Sequence, residues 1–314
     1  MIKKIAVLGA GTMGAGIVQA FAMHGYDVNV MVRNKDKQNR FKTAIKEKLK
    51  VFNEEGVIAK EDIEKTLDHI SIFSDLKDTV EDRDYIIESV PEALGLKQEI
   101  FKLLDEYCKE SAILSSNTSS LKLSDITMNV SEERKKRVML THWYNPAYIM
   151  PIAELSFFGN MEEETYKEVE TLYQSIGKQT VKVLKEVPGL VANRIQQGVA
   201  REVFSLMENG IASPEDIDKA LKFGPAFRYA TTGQLEVADF GGIDIWCIVG
   251  DNLLKEMDHS LKANQLLRHK MKEGKLGIKT GEGFFSYEGS KKEEALSQYI
   301  RKLIHQLKAS KYYE

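Results

Sequence analysis

The chain has 314 residues, of which 43% are hydrophobic and 29% are charged, and its formal net charge is −3. This composition is typical of a globular protein whose cores need no disulfide or metal. The near-neutral charge argues against a general affinity for nucleic acids or anionic membranes. At about 100–200 residues per domain, the length predicts two domains.

The two cysteines, Cys108 and Cys247, lie far apart in unrelated sequence contexts. They form neither a metal-ligand pattern nor a disulfide framework. We expect both to be plain thiols in a reducing compartment, which predicts a cytoplasmic location.

The chain opens on a strand, a glycine-rich turn and a helix. Residues 5–8 are a short β-type run, three glycines follow with the spacing G-x-G-x-x-G, and residues 26–32 predict a second strand. In such a turn the first glycine permits a tight bend, the second admits a pyrophosphate, and the third lets the helix pack closely on the strand. The predicted dinucleotide contacts at this turn are Gly9, Gly11, Thr12, Met13 and Gly14.

The same opening has a second interpretation. Two lysines followed by small apolar residues also resemble a secretory signal peptide. We favour the nucleotide-binding interpretation because a second strand follows at the expected distance and cysteines are few.

The residue expected to select the cofactor stands at the end of the second predicted strand. NAD sites usually place Asp or Glu about 20 residues after the glycine turn, where it binds the ribose 2′-OH. Residues 32–34 instead read Val-Arg-Asn. Arg33 would suit the 2′-phosphate of NADP, or it is an exposed loop residue without a cofactor role. The sequence therefore predicts NAD or NADP and leaves the choice open.

A basic helix is predicted within residues 35–65. Its cationic side chains are interpreted either as a solvated helix face or as a site for the phosphates of an acyl carrier such as coenzyme A. They are Arg40, Lys42, Lys46, Lys48 and Lys50.

Strands and helices continue to alternate through the first half of the chain. This alternation predicts an α/β fold with a parallel, doubly wound sheet. The further predicted strands lie at residues 84–90, at the start of 112–120, within 137–146 and at 152–157.

Polar groups follow several of these strands, at the edge where ligands bind in open α/β sheets. His142 is the candidate general acid/base, because histidine can take an alcohol proton and return it near neutral pH. Glu154 interrupts an otherwise apolar predicted strand, where a carboxylate needs a partner. It is the candidate group that fixes the histidine tautomer. A purely structural histidine is the alternative.

Two further residues are candidates for the same cleft. Ser119 would donate a hydrogen bond to a substrate oxygen, and Asn193, on the first predicted helix of the second half, would reach the same cleft. An ordinary turn serine and an ordinary helix asparagine are the alternatives.

The second half of the chain has a different pattern. One helix is predicted to open at Pro188 and close at Gly210, and Ser213 is typical of the N-cap of the next. Beyond it the chain is predicted to be mostly helical. We predict a dinucleotide-binding domain over residues 1–186 and a helical substrate and dimerisation domain over residues 187–314.

Segments along nearly the whole chain resemble the 3-hydroxyacyl-CoA dehydrogenase family. They are AVLGAGTMGAGIVQAFA, ESVPEALGLKQEIF, SSNTSSL, THWYNPAYIMPIAEL, VPGLVANRI and GIKTGEGFFSY. The resemblance implies a Rossmann-type N-terminal domain followed by an all-α C-terminal domain that forms a homodimer. It also implies NAD(H)-linked interconversion of a 3-hydroxyacyl and a 3-ketoacyl group, here of a short-chain acyl-CoA.

The resemblance also implies roles for individual residues. His142 corresponds to the general acid/base and Glu154 to its partner, while Ser119 and Asn193 correspond to residues that bind the substrate oxygen. The other residues implied at the cofactor, the first two of them at its nicotinamide end, are Glu92, Lys97 and Asn117.

The sequence departs from the acyl-CoA pattern in several segments. The aromatic pair after the histidine is Trp143-Tyr144, and the segments ESVPEALGLK, GIASPEDID and FRYATTGQLE look like the carnitine and L-gulonate 3-dehydrogenase branch. Those relatives oxidise a free 3-hydroxy acid, which is the alternative substrate class. A non-catalytic dinucleotide-binding relative is a third hypothesis, against which the complete set of polar site residues argues.

Overall fold

The computed structural model describes residues 2–311 and residue 313 of the chain. It contains two compact units, Met1–Val191 and Ala192–Glu314. Across the described residues, no helix is both long and apolar enough to cross a membrane.

The boundary between the units lies a few residues after the one predicted from sequence, between residues 186 and 187. The intervening segment belongs to the first unit because its residues face that unit. Residues 187–190 line a small cavity together with residues 118–122, and the backbone N–H of Val191 donates to a buried carboxylate of the same unit.

The described part of the first unit is built on an eight-stranded sheet. Its strands are β1 (Lys4–Leu8), β2 (Asp27–Met31), β3 (Ile70–Phe73), β4 (Tyr85–Glu88), β5 (Ile113–Ser116), β6 (Val138–Trp143), β7 (Ile152–Ser156) and β8 (Gln179–Val183). They lie in the order β3-β2-β1-β4-β5-β6-β7-β8, and neighbours are parallel except for the antiparallel pair β6–β7. This confirms the predicted doubly wound, mostly parallel sheet, whose strand order reverses between β1 and β4.

Helices cover both faces of this sheet. They are α1 (Thr12–Ala22), α2 (Lys35–Glu54), α3 (Asp62–Asp68), α4 (Leu76–Val80), α5 (Leu94–Tyr107), α6 (Leu123–Ile126), α7 (Glu132–Lys135) and α8 (Glu163–Ser175).

Two hydrophobic cores flank the sheet, one on each face. Side chains alternate between them along β1: Ile5 and Val7 enter one core, whereas Ala6 and Leu8 enter the other. A strand that is buried on both faces is apolar at every position, which explains the uninterrupted apolar run after Lys4. The two cores fix the strands in place. The polar residues that follow each apolar run are therefore held at the edge of the sheet.

The second unit is helical, which confirms the predicted all-α C-terminal domain. Its described helices are α9 (Ala192–Glu208), α10 (Pro214–Phe223), α11 (Pro225–Tyr229), α12 (Gln234–Gly241), α13 (Ile243–Leu253), α14 (Gln265–Lys272) and α15 (Lys291–Ser310), with a 3₁₀ turn at Leu254–Glu256. The Ser213 hydroxyl accepts a hydrogen bond from the N–H of Asp216 and caps α10, as predicted.

Candidate active site

The glycine turn between β1 and α1 has the close backbone packing that its spacing predicts. Gly9 has a φ of +114°, and a Cβ there would lie 2.4 Å from the carbonyl oxygen of Ser89. A Cβ on Gly14 would lie 1.9 Å from the carbonyl oxygen of Gly9. A Cβ on Gly11 would meet nothing within 4 Å. The second glycine therefore leaves free the space that a pyrophosphate takes up in such turns.

A cleft of about 600 Å³ opens above this turn, at the point where the strand order reverses. It is lined by the glycine turn and by the segments that follow β2, β4 and β5, including Ser89 and Asn117. Its position and size suit a nucleotide ligand, and the open cradle at Gly11 fits a dinucleotide phosphate.

The end of the cleft beside β2 is positively charged. Arg33 and Lys37 line it, and none of the described lining residues carries a carboxylate. The Asn34 side chain accepts a hydrogen bond from the N–H of Lys37 at 3.0 Å and caps α2. A helix N-terminus with two cations beside it is suited to an anionic group.

His142 and Glu154 face each other across the antiparallel pair β6–β7, in direct register. Nδ1 of His142 lies 2.8 Å from Oε2 of Glu154, and both side chains are buried. The other oxygen, Oε1, accepts the Val191 N–H at 2.8 Å. A carboxylate accepts hydrogen bonds, so we assign the imidazole proton to Nδ1. Nε2 is then left as the acceptor.

Ser119 completes this arrangement from the loop after β5. Its Oγ lies 3.1 Å from Nε2 of His142, so the hydroxyl can donate to that nitrogen. The structure therefore brings together three of the predicted residues, with a base nitrogen and a hydroxyl side by side. A substrate oxygen shared by both groups would meet one proton acceptor and one hydrogen-bond donor.

Tyr144 is a further ionisable group beside the histidine, and their rings pack edge to face with centroids 5.3 Å apart. Burial, aided by the negative charge of Glu154, raises the pKa of Tyr144 to about 12. Its phenol therefore keeps its proton at neutral pH and does not compete with His142 as the base.

The turn that carries Ser119 is held by two acceptors. Oδ1 of Asn117 accepts the N–H of Trp143 at 2.9 Å, which ties the loop after β5 to the end of β6. Oε1 of Glu92 accepts from Thr118, Ser119 and Ser120. Burial by itself would raise the pKa of Glu92, but these hydrogen bonds and the nearby Lys97 charge hold it below its usual value.

Lys97 is 1% exposed, and it is absent from the described lining of the dinucleotide cleft. Its ammonium donates to both oxygens of Glu88, at 2.7 and 2.8 Å, and lies 3.3 Å from Glu92. The sequence analysis did not single out Glu88. The signal that could have found it is an acidic residue at the end of the apolar run YIIE. The buried hydroxyl of Ser116 also donates to Glu88, and it gave no sequence signal.

Asn193 lies in the second unit, as the second residue of α9. Its predicted contact with the substrate would join the two units, and it stays a prediction.

Four of the five basic residues singled out on α2 make local contacts. Lys42 donates to the carbonyl of Leu67 at 2.7 Å, and Lys48 lies 5.0 Å from the centre of the Tyr148 ring. Two more form ion pairs, Lys46 with Glu64 and Lys50 with Glu47. These contacts favour a structural helix face over a phosphate site.

Comparisons with known proteins identify both halves of the chain. The family models for the NAD-binding domain and the C-terminal domain of 3-hydroxyacyl-CoA dehydrogenase match residues 4–187 and 189–287. A 3-hydroxybutyryl-CoA dehydrogenase from Clostridioides difficile is 35% identical over 285 residues, which cover 90% of this chain and 99% of that protein.

Two solved structures resemble this chain to different extents. An NAD⁺-dependent dismutase, 5-formyl-3-hydroxy-2-methylpyridine 4-carboxylic acid 5-dehydrogenase, matches with a TM-score of 0.90, 28% identity and 100% coverage of both chains. The (S)-3-hydroxybutyryl-CoA dehydrogenase of Ralstonia eutropha matches with a TM-score of 0.73, 30% identity and coverage of 92% of this chain and 100% of that one.

Proposed function

Because the chain belongs to the 3-hydroxyacyl-CoA dehydrogenase family, we propose that it transfers a hydride reversibly between a nicotinamide dinucleotide and C3 of a short-chain 3-hydroxyacyl-CoA. The observation that carries this proposal is the His142–Glu154 pair with Ser119 beside Nε2. That arrangement supplies a base for the hydroxyl proton and a donor for the same oxygen.

The side chains act on the proton rather than on the hydride. In the oxidative direction Nε2 of His142 takes the proton of the substrate hydroxyl, and Nδ1 keeps its own proton toward Glu154. The carboxylate then stabilises the imidazolium. In the reductive direction Nε2 returns the proton to the new alkoxide oxygen. When bound, the nicotinamide supplies the hydride acceptor or donor.

The direct test is reduction of acetoacetyl-CoA, followed by the loss of NADH or NADPH absorbance. Turnover with acetoacetyl-CoA, together with much weaker activity on carnitine and L-gulonate, is the expected result. Activity on the free 3-hydroxy acids alone would replace the proposed substrate class. Tight dinucleotide binding without any turnover would favour a non-catalytic relative.

A free acid that carries no coenzyme A is the second candidate substrate class. The comparisons do not favour it over the acyl-CoA class, but two observations keep it in the test. The family model for the C-terminal domain ends at residue 287, before α15, whereas the structure of the pyridine-carboxylic acid dehydrogenase matches the whole chain. Three of the basic residues of α2, Lys42, Lys46 and Lys50, also make local contacts. The comparison of acetoacetyl-CoA with carnitine and L-gulonate decides between the acyl-CoA and free-acid substrate classes.

We further propose that the cleft accepts NADP through Arg33 and Lys37. A 2′-phosphate suits two cations at a helix N-terminus, whereas a bare 2′-OH usually meets an acidic residue, and none of the described lining residues carries a carboxylate. Arg33→Asp should therefore move the ratio of kcat/KM for NADPH over NADH toward NADH, by about tenfold or more for the loss of one charge-assisted contact.

Arg40→Asp, at an exposed position on α2 and absent from the described lining of the cleft, is the matched control. It should leave the cofactor ratio unchanged. Equal use of both cofactors before and after Arg33→Asp would show that Arg33 does not contact the 2′ position.

We also propose a homodimer formed through the second unit, in a reducing compartment such as the cytoplasm. The second unit exposes large apolar side chains of a kind that protein interfaces cover, and both cysteines are free thiols. Light scattering should give about twice the chain mass of 35.6 kDa, and a monomer at assay concentrations would refute the dimer. The exposed side chains include Phe223, Phe227, Leu235, Phe240 and Ile248.

A further inference from the structure

A row of charged groups lies beneath the loop that carries Ser119. Glu88 and Lys97 are buried, with 0% and 1% exposure, while the Glu92 side chain is 39% exposed. The Lys97 ammonium contacts both carboxylates, so all three of its N–H donors have partners within reach. Glu88 in turn accepts from the N–H of Val90 and from Ser116.

Burying this row is unfavourable unless each charge is compensated. Removing an ion from water costs several kcal/mol, which is offset only by good geometry and further hydrogen bonds. Glu88 has that geometry: two bonds from the ammonium and one each from a hydroxyl and a backbone N–H. The row is therefore a rigid support, fixed from the sheet side at the ends of β4 and β5.

The outer end of the row is the Glu92 carboxylate, and it holds the Ser119 turn. Oε1 accepts the backbone N–H groups of Ser119 and Ser120, at 3.1 and 3.2 Å. It also accepts the hydroxyls of Thr118 and Ser120, at 2.5 and 2.9 Å. One carboxylate oxygen thus accepts hydrogen bonds from three consecutive residues of the turn. The middle residue, Ser119, has its Oγ 3.1 Å from Nε2 of His142.

We propose that Glu92 is a positioning residue for Ser119, held in place by Lys97 and Glu88. This inference rests on the proposed dehydrogenase function, in which Ser119 binds the substrate oxygen. Without the Glu92 carboxylate, the backbone N–H of Ser119 loses this acceptor and the hydroxyl loses its fixed distance from His142. Substrate would still bind, but its oxygen would no longer be held at the base.

A double-mutant cycle tests this role. Ser119→Ala and Glu92→Ala should each lower kcat by about 10²-fold, the usual effect of losing one donor to a reacting oxygen. The double variant should be no slower than Ser119→Ala alone, because both changes remove the same interaction. Glu92→Gln keeps an acceptor oxygen for the turn but presents its NH₂ group to Lys97, so it should restore only part of kcat and be faster than Glu92→Ala. Glu99→Ala, at an exposed position on α5, the helix that follows Glu92, is the matched control and should stay at the wild-type rate.

A role at the cofactor alone predicts a different result. In that case Glu92→Ala would raise the Kd of the dinucleotide, and its effect on kcat/KM would multiply with that of Ser119→Ala. Multiplied effects of this kind, or a wild-type kcat in Glu92→Ala, would overturn the positioning role.

The imidazole of His142 provides a readout that needs no substrate. In ¹⁵N NMR at one fixed pH, Ser119→Ala should move the Nε2 resonance of His142, and Glu92→Ala should move it in the same direction. A wild-type Nε2 resonance in Glu92→Ala would refute the proposal even if the enzyme's substrate had been misassigned. Absence of turnover in the wild type would refute the proposed function and leave this measurement to decide the role of Glu92.

Discussion

Replacing His142 by glutamine is expected to lower kcat by about 10²- to 10⁴-fold, the usual contribution of a positioned general acid/base. Glutamine keeps polar atoms toward Glu154 and Ser119, so the buried strand pair should stay folded. It cannot take a proton from a hydroxyl near neutral pH, so the step that Nε2 performs is lost. The measurement is kcat for reduction of acetoacetyl-CoA, with circular dichroism and thermal unfolding as checks on the fold.

The same sheet offers a matched control for this change. His69 also pairs with a carboxylate, with Nδ1 at 2.9 Å from Asp27, but it lies at the amino ends of β2 and β3. Ligands bind at the opposite edge of such sheets, so His69→Gln should leave kcat unchanged. A near-native kcat in His142→Gln would show that another group is the base.

Much of the site could be predicted because its signals are local in sequence. The glycine spacing and the strands around it occupy about thirty residues, the length of a single βαβ unit. His142 was recognisable because it ends an apolar run, and Glu154 because it interrupts one. Their pairing followed from chemistry, and the antiparallel register of β6 and β7 places them directly opposite each other.

The support beneath the site could not be predicted in the same way. Lys97 was expected at the cofactor, which stays a prediction, and no pattern in the sequence indicated that its side chain is buried between Glu88 and Glu92. A lysine on a helix and a glutamate at the end of a strand are each common on protein surfaces. The packing of α5 on the sheet brings these two side chains together. Local sequence patterns carry no information about contacts between a strand and a packed helix, so this pair could not be predicted.

The segment of residues 187–191 illustrates the same limit. Residues 187–191 look like the start of a helix, because a proline and a glycine open it. The backbone N–H of Val191 instead donates to Glu154, and this long-range bond keeps the segment with the first unit. No sequence pattern over neighbouring residues reports such a bond.

Glu154→Gln is expected to lower kcat by about 10³- to 10⁴-fold, because it should reverse the tautomer of His142. The donors to this carboxylate include the Val191 N–H, on Oε1, and Nδ1 of His142, on Oε2. A glutamine that keeps its oxygen on Val191 presents its NH₂ group to Nδ1. Nδ1 must then be the acceptor, the proton moves to Nε2, and Nε2 can no longer take a proton from the substrate.

The substitution preserves shape, so the fold should tolerate it while the chemistry does not. Thermal unfolding should stay within a few degrees of the wild type, and Glu164→Gln, at an exposed position on α8, is the control for the same chemical change. The ¹⁵N resonances of His142 distinguish the two tautomers directly. Because the carboxylate both holds the proton on Nδ1 and stabilises the imidazolium, a variant that kept that proton should still lose part of its activity, and near-native activity in such a variant would show that the negative charge plays no part. A variant that lost the proton from Nδ1 and kept its activity would contradict this mechanism.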